Sequence, residues 1–280
     1  MNIATPRTCL ATLKLGAKQP GWTLDTQDDW RHDGALVGEK NTASLNTPLD
    51  QVDAFLPSNG AEVRGTAVMI NGIMSDLALQ RAELQALADT GLRVVGIHNS
   101  TKGMLRDFAQ SVGDKLGLAN NKAVDTAARV IGQAVKQREP LHIVGHSQGA
   151  LVASRALEEV LEELQKEGLS QEQAEKALSP ITVTSLGGSA WTYPEGPTYH
   201  HYYNDRDLVP LLTGRPIPAK VFDSSKETMH RFSRVSPSGE LPPWKNGWVN
   251  RFARYVDATV HGARQVYLPR FKPQPEAESA

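Results

Sequence analysis

Ser147 lies in the pentapeptide Gly145-His146-Ser147-Gln148-Gly149, with the apolar run Leu141-His142-Ile143-Val144 before it and a long helical pattern after it. A serine on a sharp strand-to-helix turn lifts its hydroxyl clear of the sheet. Glycines on either side have no Cβ to collide across so tight a bend. The first backbone N–H groups of the helix then lie beside the reacting oxygen, where they can bind negative charge. This spelling and placement predict a nucleophile; the plainer alternative is a serine in an ordinary strand–helix turn.

A serine hydroxyl is a weak nucleophile at neutral pH. It needs a base to take its proton and a group to orient that base. In parallel α/β sheets, sites form at the carboxyl ends of strands, so both partners are sought on loops after later strands. The segment Tyr202-Tyr203-Asn204-Asp205-Arg206-Asp207-Leu208-Val209-Pro210 follows directly on an expected strand. Asp207 precedes an apolar Leu-Val-Pro turn that can pin its carboxylate, and it is the preferred acid. Asp205 competes, as an acid, as a turn former or as a partner for Arg206; both can also be ordinary turn aspartates.

The chain has eight histidines. His142 and His146 stand too close to Ser147 in sequence to face it; His142 reads as a core strand residue and His146 as the variable position of the motif. His200 and His201 precede the acid, and His32 and His98 come earlier still. His230 and His261 remain. His261 is preferred because Gly262-Ala263-Arg264-Gln265-Val266-Tyr267-Leu268 follows it and supplies an aromatic-aliphatic anchor. Either histidine can also be a plain surface or core-edge residue.

Negative charge developing on a substrate oxygen needs preorganised donors; losing one typically costs about 10²–10³ in rate. The backbone N–H of Gln148 is one candidate. The other is the N–H of Ile73, in Ile70-Asn71-Gly72-Ile73-Met74, with Asn71 as a brace. Asn71-Gly72 can also be a simple turn.

The elements that must position these groups follow from periodicity. Thr66-Ala67-Val68-Met69-Ile70 is a continuous apolar run, as in a strand covered on both faces. A helix from about Ser75 carries Leu77, Leu84, Leu87 and Ala88 on one face, with Ser75 and Asp76 as start residues and Gly91 beyond its end. Residues 92–97 read as the next strand. Helical patterns at 103–116 and 121–138 follow, the second broken by Pro140. The helix after Ser147 shows Ala150, Ala153, Leu157, Leu161 and Leu164 at helical spacing. A short helix capped by Ser170, strands at 181–186 and 199–203, and an amphipathic helix from Trp248 to about Val260 complete the pattern. Residues 22–24 and 35–37 read as short early strands. Strands alternating with helices predict an α/β fold with a mainly parallel central sheet and helices on both faces. The expected organisation is an N-terminal extension at 1–63 packed on the same domain, a main domain at 64–270 and a flexible tail at 271–280.

Composition narrows the classes. Hydrophobic residues make up 40% and charged residues 22% of 280, as in soluble globular proteins. A net charge of −1 gives no electrostatic basis for binding nucleic acid or an anionic membrane. Cys9 is the only cysteine, so no internal disulfide forms. Residues 1–17 are too polar for a signal peptide, and no stretch approaches the roughly 20 apolar residues of a membrane span. The expected location is cytoplasmic, or exported without a cleaved signal.

The elbow, the Asn71-Gly72 loop, Asn204-x-x-Asp207-x-Val209-Pro210 and the order Ser147, Asp207, His261 together resemble the α/β-hydrolase superfamily. Within it, they resemble bacterial lipase- or esterase-like serine hydrolases. The resemblance spans roughly residues 65–268. Two features depart from it: Asn71 stands where a histidine is common, and His261 to Tyr267 is one residue longer than in lipase-like members. The resemblance implies an α/β-hydrolase fold and cleavage of carboxylic, acyl or lipid, esters through an acyl-enzyme, with no metal or organic cofactor. An acyltransferase with the same triad and a non-catalytic hydrolase-fold binding protein are the alternatives. The expected partner is a small ester or lipid, and transient membrane contact through the Trp248 helix is compatible with this. Ser189-Ala190-Trp191-Thr192-Tyr193-Pro194-Glu195-Gly196-Pro197 can line a substrate pocket or be a rigid surface loop. Met104, Leu105 and Phe108 can belong to a lid or to a crossover helix.

Overall fold

The computed structural model describes residues 29–72, 75–100, 121–190, 192–207, 210, 226–233 and 260–273. Eight strands form one sheet: β1 (Leu36–Val37), β2 (Thr42–Ala43), β3 (Thr66–Ile70), β4 (Arg93–Ile97), β5 (Leu141–His146), β6 (Ile181–Leu186), β7 (Thr198–Asn204) and β8 (Glu227–Phe232). Their order across the sheet is β2-β1-β4-β3-β5-β6-β7-β8. From β4 to β8 every pairing is parallel; β1 is antiparallel to both β2 and β4. With helices on its faces, this is the expected α/β fold with a mainly parallel central sheet.

Four helices are described: α1 (Leu77–Ala88), α2 (Lys122–Gln137), α3 (Gln148–Lys166) and α4 (Gln171–Ala177). Three of them start where side chains satisfy their first N–H groups. Asp76 Oδ1 accepts from Leu79 N at 2.7 Å, and Asn121 Oδ1 from Ala123 N at 2.8 Å. Ser170 and Gln173 form a reciprocal capping box. α3 alone opens without a side-chain cap, on Ser147.

The central strands β3 and β4 are covered on both faces, which is why their sequences run apolar without alternation. On one face Val68, Ile70, Ile143 and Val183 pack against Ala127 and Ile131 of α2 and Val152, Ala153 and Leu157 of α3. On the other, Ala67, Met69, Val94 and Val144 meet Leu84 and Leu87 of α1 and Val266, Tyr267 and Leu268 near the C-terminus.

The N-terminal segment enters this core. β1 and β2 extend the sheet, Leu36, Val52 and Ala54 join its first apolar layer, and Phe55 exchanges backbone hydrogen bonds with Val94 at 2.8 and 2.9 Å. Phe271 is buried, with its ring 5.6 Å from His142 and 6.1 Å from Tyr202. β8 has no counterpart in the sequence reading, because its half-exposed face gives Glu227-Thr228-Met229-His230-Arg231-Phe232 no apolar run. The expected strand at 22–24, the helix at 103–116 with Met104, Leu105 and Phe108, and the Trp248 helix up to 259 lie outside the described residues. Among the described residues no helix is long and apolar enough to cross a membrane.

Candidate active site

β5 ends at His146 and α3 starts at Gln148, so Ser147 makes the whole connection. Its backbone takes φ 53° and ψ −119°, a region that costs a non-glycine residue about 1–3 kcal/mol. Three hydrogen bonds hold it there. Ser147 N donates to Leu186 O at 3.0 Å, and Ser147 O accepts from Ala150 N at 3.2 Å and Ser189 N at 3.0 Å. The flanking glycines are required by close approach: a Cβ at 145 would lie 2.6 Å from the Ala150 backbone, and one at 149 would lie 2.2 Å from the Ile70 carbonyl oxygen.

Gly149→Ala must therefore push α3 away from the end of β3. We expect it to destabilise the fold by about 3 kcal/mol, near a 10 °C fall in melting temperature, measured by thermal unfolding. Gly132→Ala in α2 is the control. Its Cβ would meet nothing closer than Val160 at 3.9 Å, so the change should be neutral or stabilising.

Asp207 follows β7 by three residues and is 1% exposed. Its N–H donates to Asn204 O at 2.9 Å, and its Oδ2 accepts from His261 Nδ1 at 2.5 Å and Tyr267 Oη at 2.6 Å. Tyr267 is fully buried; burial and the adjacent carboxylate push its phenol well above the usual range, so it stays a donor. Residues Ala263–Tyr267 wind as a π-helical turn in which Leu268 N reaches Ala263 O. Across that turn the phenol of Tyr267 meets Asp207.

The turn carrying His261 is tied to two strands. Asn204 Nδ2 at the end of β7 donates to Val260 O at 2.9 Å. His146 at the end of β5 contacts the next carbonyl, His261 O, through Nε2 at 2.9 Å. His146 thus occupies more than a variable motif position. The two imidazole rings lie 4.9 Å apart.

The loop after β3 lies against the elbow: a Cβ at Gly72 would come 2.9 Å from the Ser147 Cβ. Asn71 is fully buried and acts as a clamp. Its Nδ2 donates to Gly72 O at 2.9 Å and to Asn99 O at 3.0 Å, and its Oδ1 accepts from Asn99 N at 2.8 Å. Asn99, also fully buried, extends the clamp to the helix start, its Nδ2 donating to Gln148 Oε1 at 2.9 Å. This amide network joins the loops after β3 and β4 to the first turn of α3. Ile73 lies outside the described residues.

The competing candidates sit elsewhere. Asp205 accepts from two Arg231 N–H groups, at 2.8 and 3.1 Å, on the exposed rim. His230 stacks on Tyr202 at 4.3 Å, with Nε2 3.4 Å from His200 Nδ1. His142 packs on the same face, its Nε2 2.8 Å from Thr184 Oγ1. A cleft of about 430 Å³, lined by Leu49, Arg93, Gln133 and Glu139 among others, opens at the strands' amino-terminal edge, away from Ser147.

These buried imidazoles set an acid limit on stability. Burial, then the charge of His200, pushes His142 down from 6.5 to about 4; burial and then His230 do the same to His200. Burial, then His261, lowers His146 to about 3. An unfolded chain protonates these groups near 6.5, before the folded one does. Stability is therefore full above about pH 6.5 and falls as pH drops toward 4, by about 1.4 kcal/mol per pH unit for each proton taken up on unfolding. Urea unfolding at several pH values across that window checks this, and a flat profile would refute it. His142→Gln should reduce the slope.

No family model matches the chain, and no curated protein does. Among solved structures, it is similar to the Thermus thermophilus protein TT1662, at 16% identity over 64% of this chain and 83% of that one, with a TM-score of 0.36. It is also similar to an esterase of Pyrobaculum calidifontis, at 13% identity over 68% and 77%, TM-score 0.36. A Xanthomonas campestris protein described as a hydrolase of the alpha/beta superfamily aligns at 13% identity over 61% and 86%, TM-score 0.30. At such scores these similarities lend no weight to any particular activity.

Proposed function

We propose that the chain is a serine hydrolase that cleaves carboxylic esters, acyl or lipid, through an acyl-enzyme. The observation that carries this is the buried Asp207–His261 contact of 2.5 Å, on a turn whose carbonyl is held by the neighbour of Ser147. A buried carboxylate on Nδ1 sets the imidazole in the tautomer whose Nε2 can accept a proton. In this mechanism His261 Nε2 takes the Ser147 proton as Oγ attacks the ester carbonyl carbon. The C=O π pair moves onto oxygen, and the N–H groups of Gln148 and Ile73 bind that charge. Collapse expels the alcohol, which takes its proton from His261. Water then repeats the sequence and releases the acid.

Asp207 orients the imidazole and stabilises the imidazolium. The segment after β6 borders this centre: Ser189 N donates to Ser147 O, while Ser154 Oγ holds Thr192 O at 2.6 Å and Tyr199 Oη holds Pro194 O at 2.5 Å. These ties support a preorganised wall. Tyr193 does not line it, since its ring packs inward 5.1 Å from Tyr199.

A fluorophosphonate probe tests the reading, since it reacts only with an activated serine. One adduct is expected, mapped by peptide mass to Ser147. A folded chain that takes no label would favour a binding protein instead. Nitrophenyl esters of graded chain length, assayed with and without an alcohol acceptor, would separate hydrolysis from acyl transfer.

A further inference from the structure

We propose that His146, the residue before the nucleophile, is a positioning residue for the base: its Nε2–H holds the main-chain carbonyl of His261 while its ring supports the His261 imidazole. This rests on the acyl-enzyme reading above.

The contact joins residues 115 positions apart at 2.9 Å. A carbonyl oxygen only accepts, so the bond requires the proton of His146 to sit on Nε2, leaving Nδ1 as a bare acceptor. That Nδ1 is buried and has no hydrogen-bond partner among the described residues. The ring is 3% exposed. An unpaired buried acceptor is unfavourable, and an apolar residue of similar size would avoid it. Stability alone therefore does not account for a histidine here, whereas a donor aimed at His261 O does.

The surroundings sharpen the role. His146 lies 4.9 Å from the His261 ring and 6.3 Å from the Tyr267 ring. Its Nδ1 is 3.2 Å from where a Cβ of residue 72 would stand. One imidazole therefore touches the base, the turn bearing the carboxylate's second donor and the loop after β3. Successive carbonyls of the base turn are gripped from opposite sides, Val260 O by Asn204 on β7 and His261 O by His146 on β5. Because His146 also leads into Ser147, its side chain ties the base turn directly to the residue next to the nucleophile. Misplacement of about 1 Å is enough to cost some 10²-fold in rate.

The test compares His146→Phe, His146→Gln and His146→Asn by nitrophenyl-ester kinetics, fluorophosphonate labelling rate and melting temperature. A glutamine amide nitrogen can reach the Nε2 position; that of asparagine falls short, and phenylalanine has no donor. Expected are a 10- to 100-fold loss of kcat with KM unchanged for Phe and Asn, and kcat within about threefold of wild type for Gln. Melting temperature should not follow this order. Should Phe fail to fold, the Gln–Asn comparison still decides. If Phe or Asn keeps wild-type kcat and labelling rate, or if kcat loss tracks melting temperature, the role is overturned. Those results would leave the acyl-enzyme reading intact, which fails separately if wild-type protein is not labelled at Ser147.

Discussion

Ser147→Ala is expected to reduce kcat for a nitrophenyl ester by about 10⁴- to 10⁶-fold while leaving the fold and melting temperature unchanged. Alanine keeps the Cβ and so keeps whatever the φ of 53° costs; the three backbone hydrogen bonds at position 147 involve no side-chain atom. Only the oxygen that forms the acyl bond is lost. Activity left over would come from substrate binding and the oxyanion donors. Labelling and the presteady-state burst of nitrophenolate should vanish together. A folded variant that turned over at the wild-type rate would show that this serine does not attack the ester.

Asp207→Asn is expected to lower kcat by about 10⁴-fold with little change in KM. The carboxylate accepts from both His261 Nδ1 and Tyr267 Oη on one oxygen. An amide of the same shape carries no charge to stabilise an imidazolium. It can also present N–H groups where both neighbours donate, which favours the wrong imidazole tautomer. Asp205→Asn is the internal comparison. Its partner Arg231 is 58% exposed, and exposed ion pairs contribute about 0–1 kcal/mol, so kcat should stay within a factor of two. If the two variants behaved alike, the acid assignment would fall.

Much of this arrangement was legible in the sequence because it is local. Thr66–Ile70 is an apolar run of strand length and Ile181–Leu186 a β-branched stretch of the same kind of length, and both strands have the expected bounds. Ser170 reads as a helix cap and is one, with Gln173 completing a capping box. The elbow is a single strand–turn–helix unit, so five residues describe it. What stayed hidden is long-range. Nothing near His146 in sequence indicates a carbonyl 115 residues away. Asn99 looks like a loop polar residue until folding sets it against Asn71 and Gln148. The π-helical turn at Ala263–Tyr267 was not legible in the sequence, because hydrogen-bond register is not written in residue types. β8 escaped because a half-exposed edge strand needs no apolar run.

The backbone at Ser147 carries a consequence for engineering. Glycine is the residue best suited to φ 53° and ψ −119°, so selecting this chain for thermal resistance alone should favour glycine at its reactive position. The most heat-resistant descendant would then be a catalytically dead one. Libraries screened for stability should hold this codon constant, since here durability and turnover pull in opposite directions.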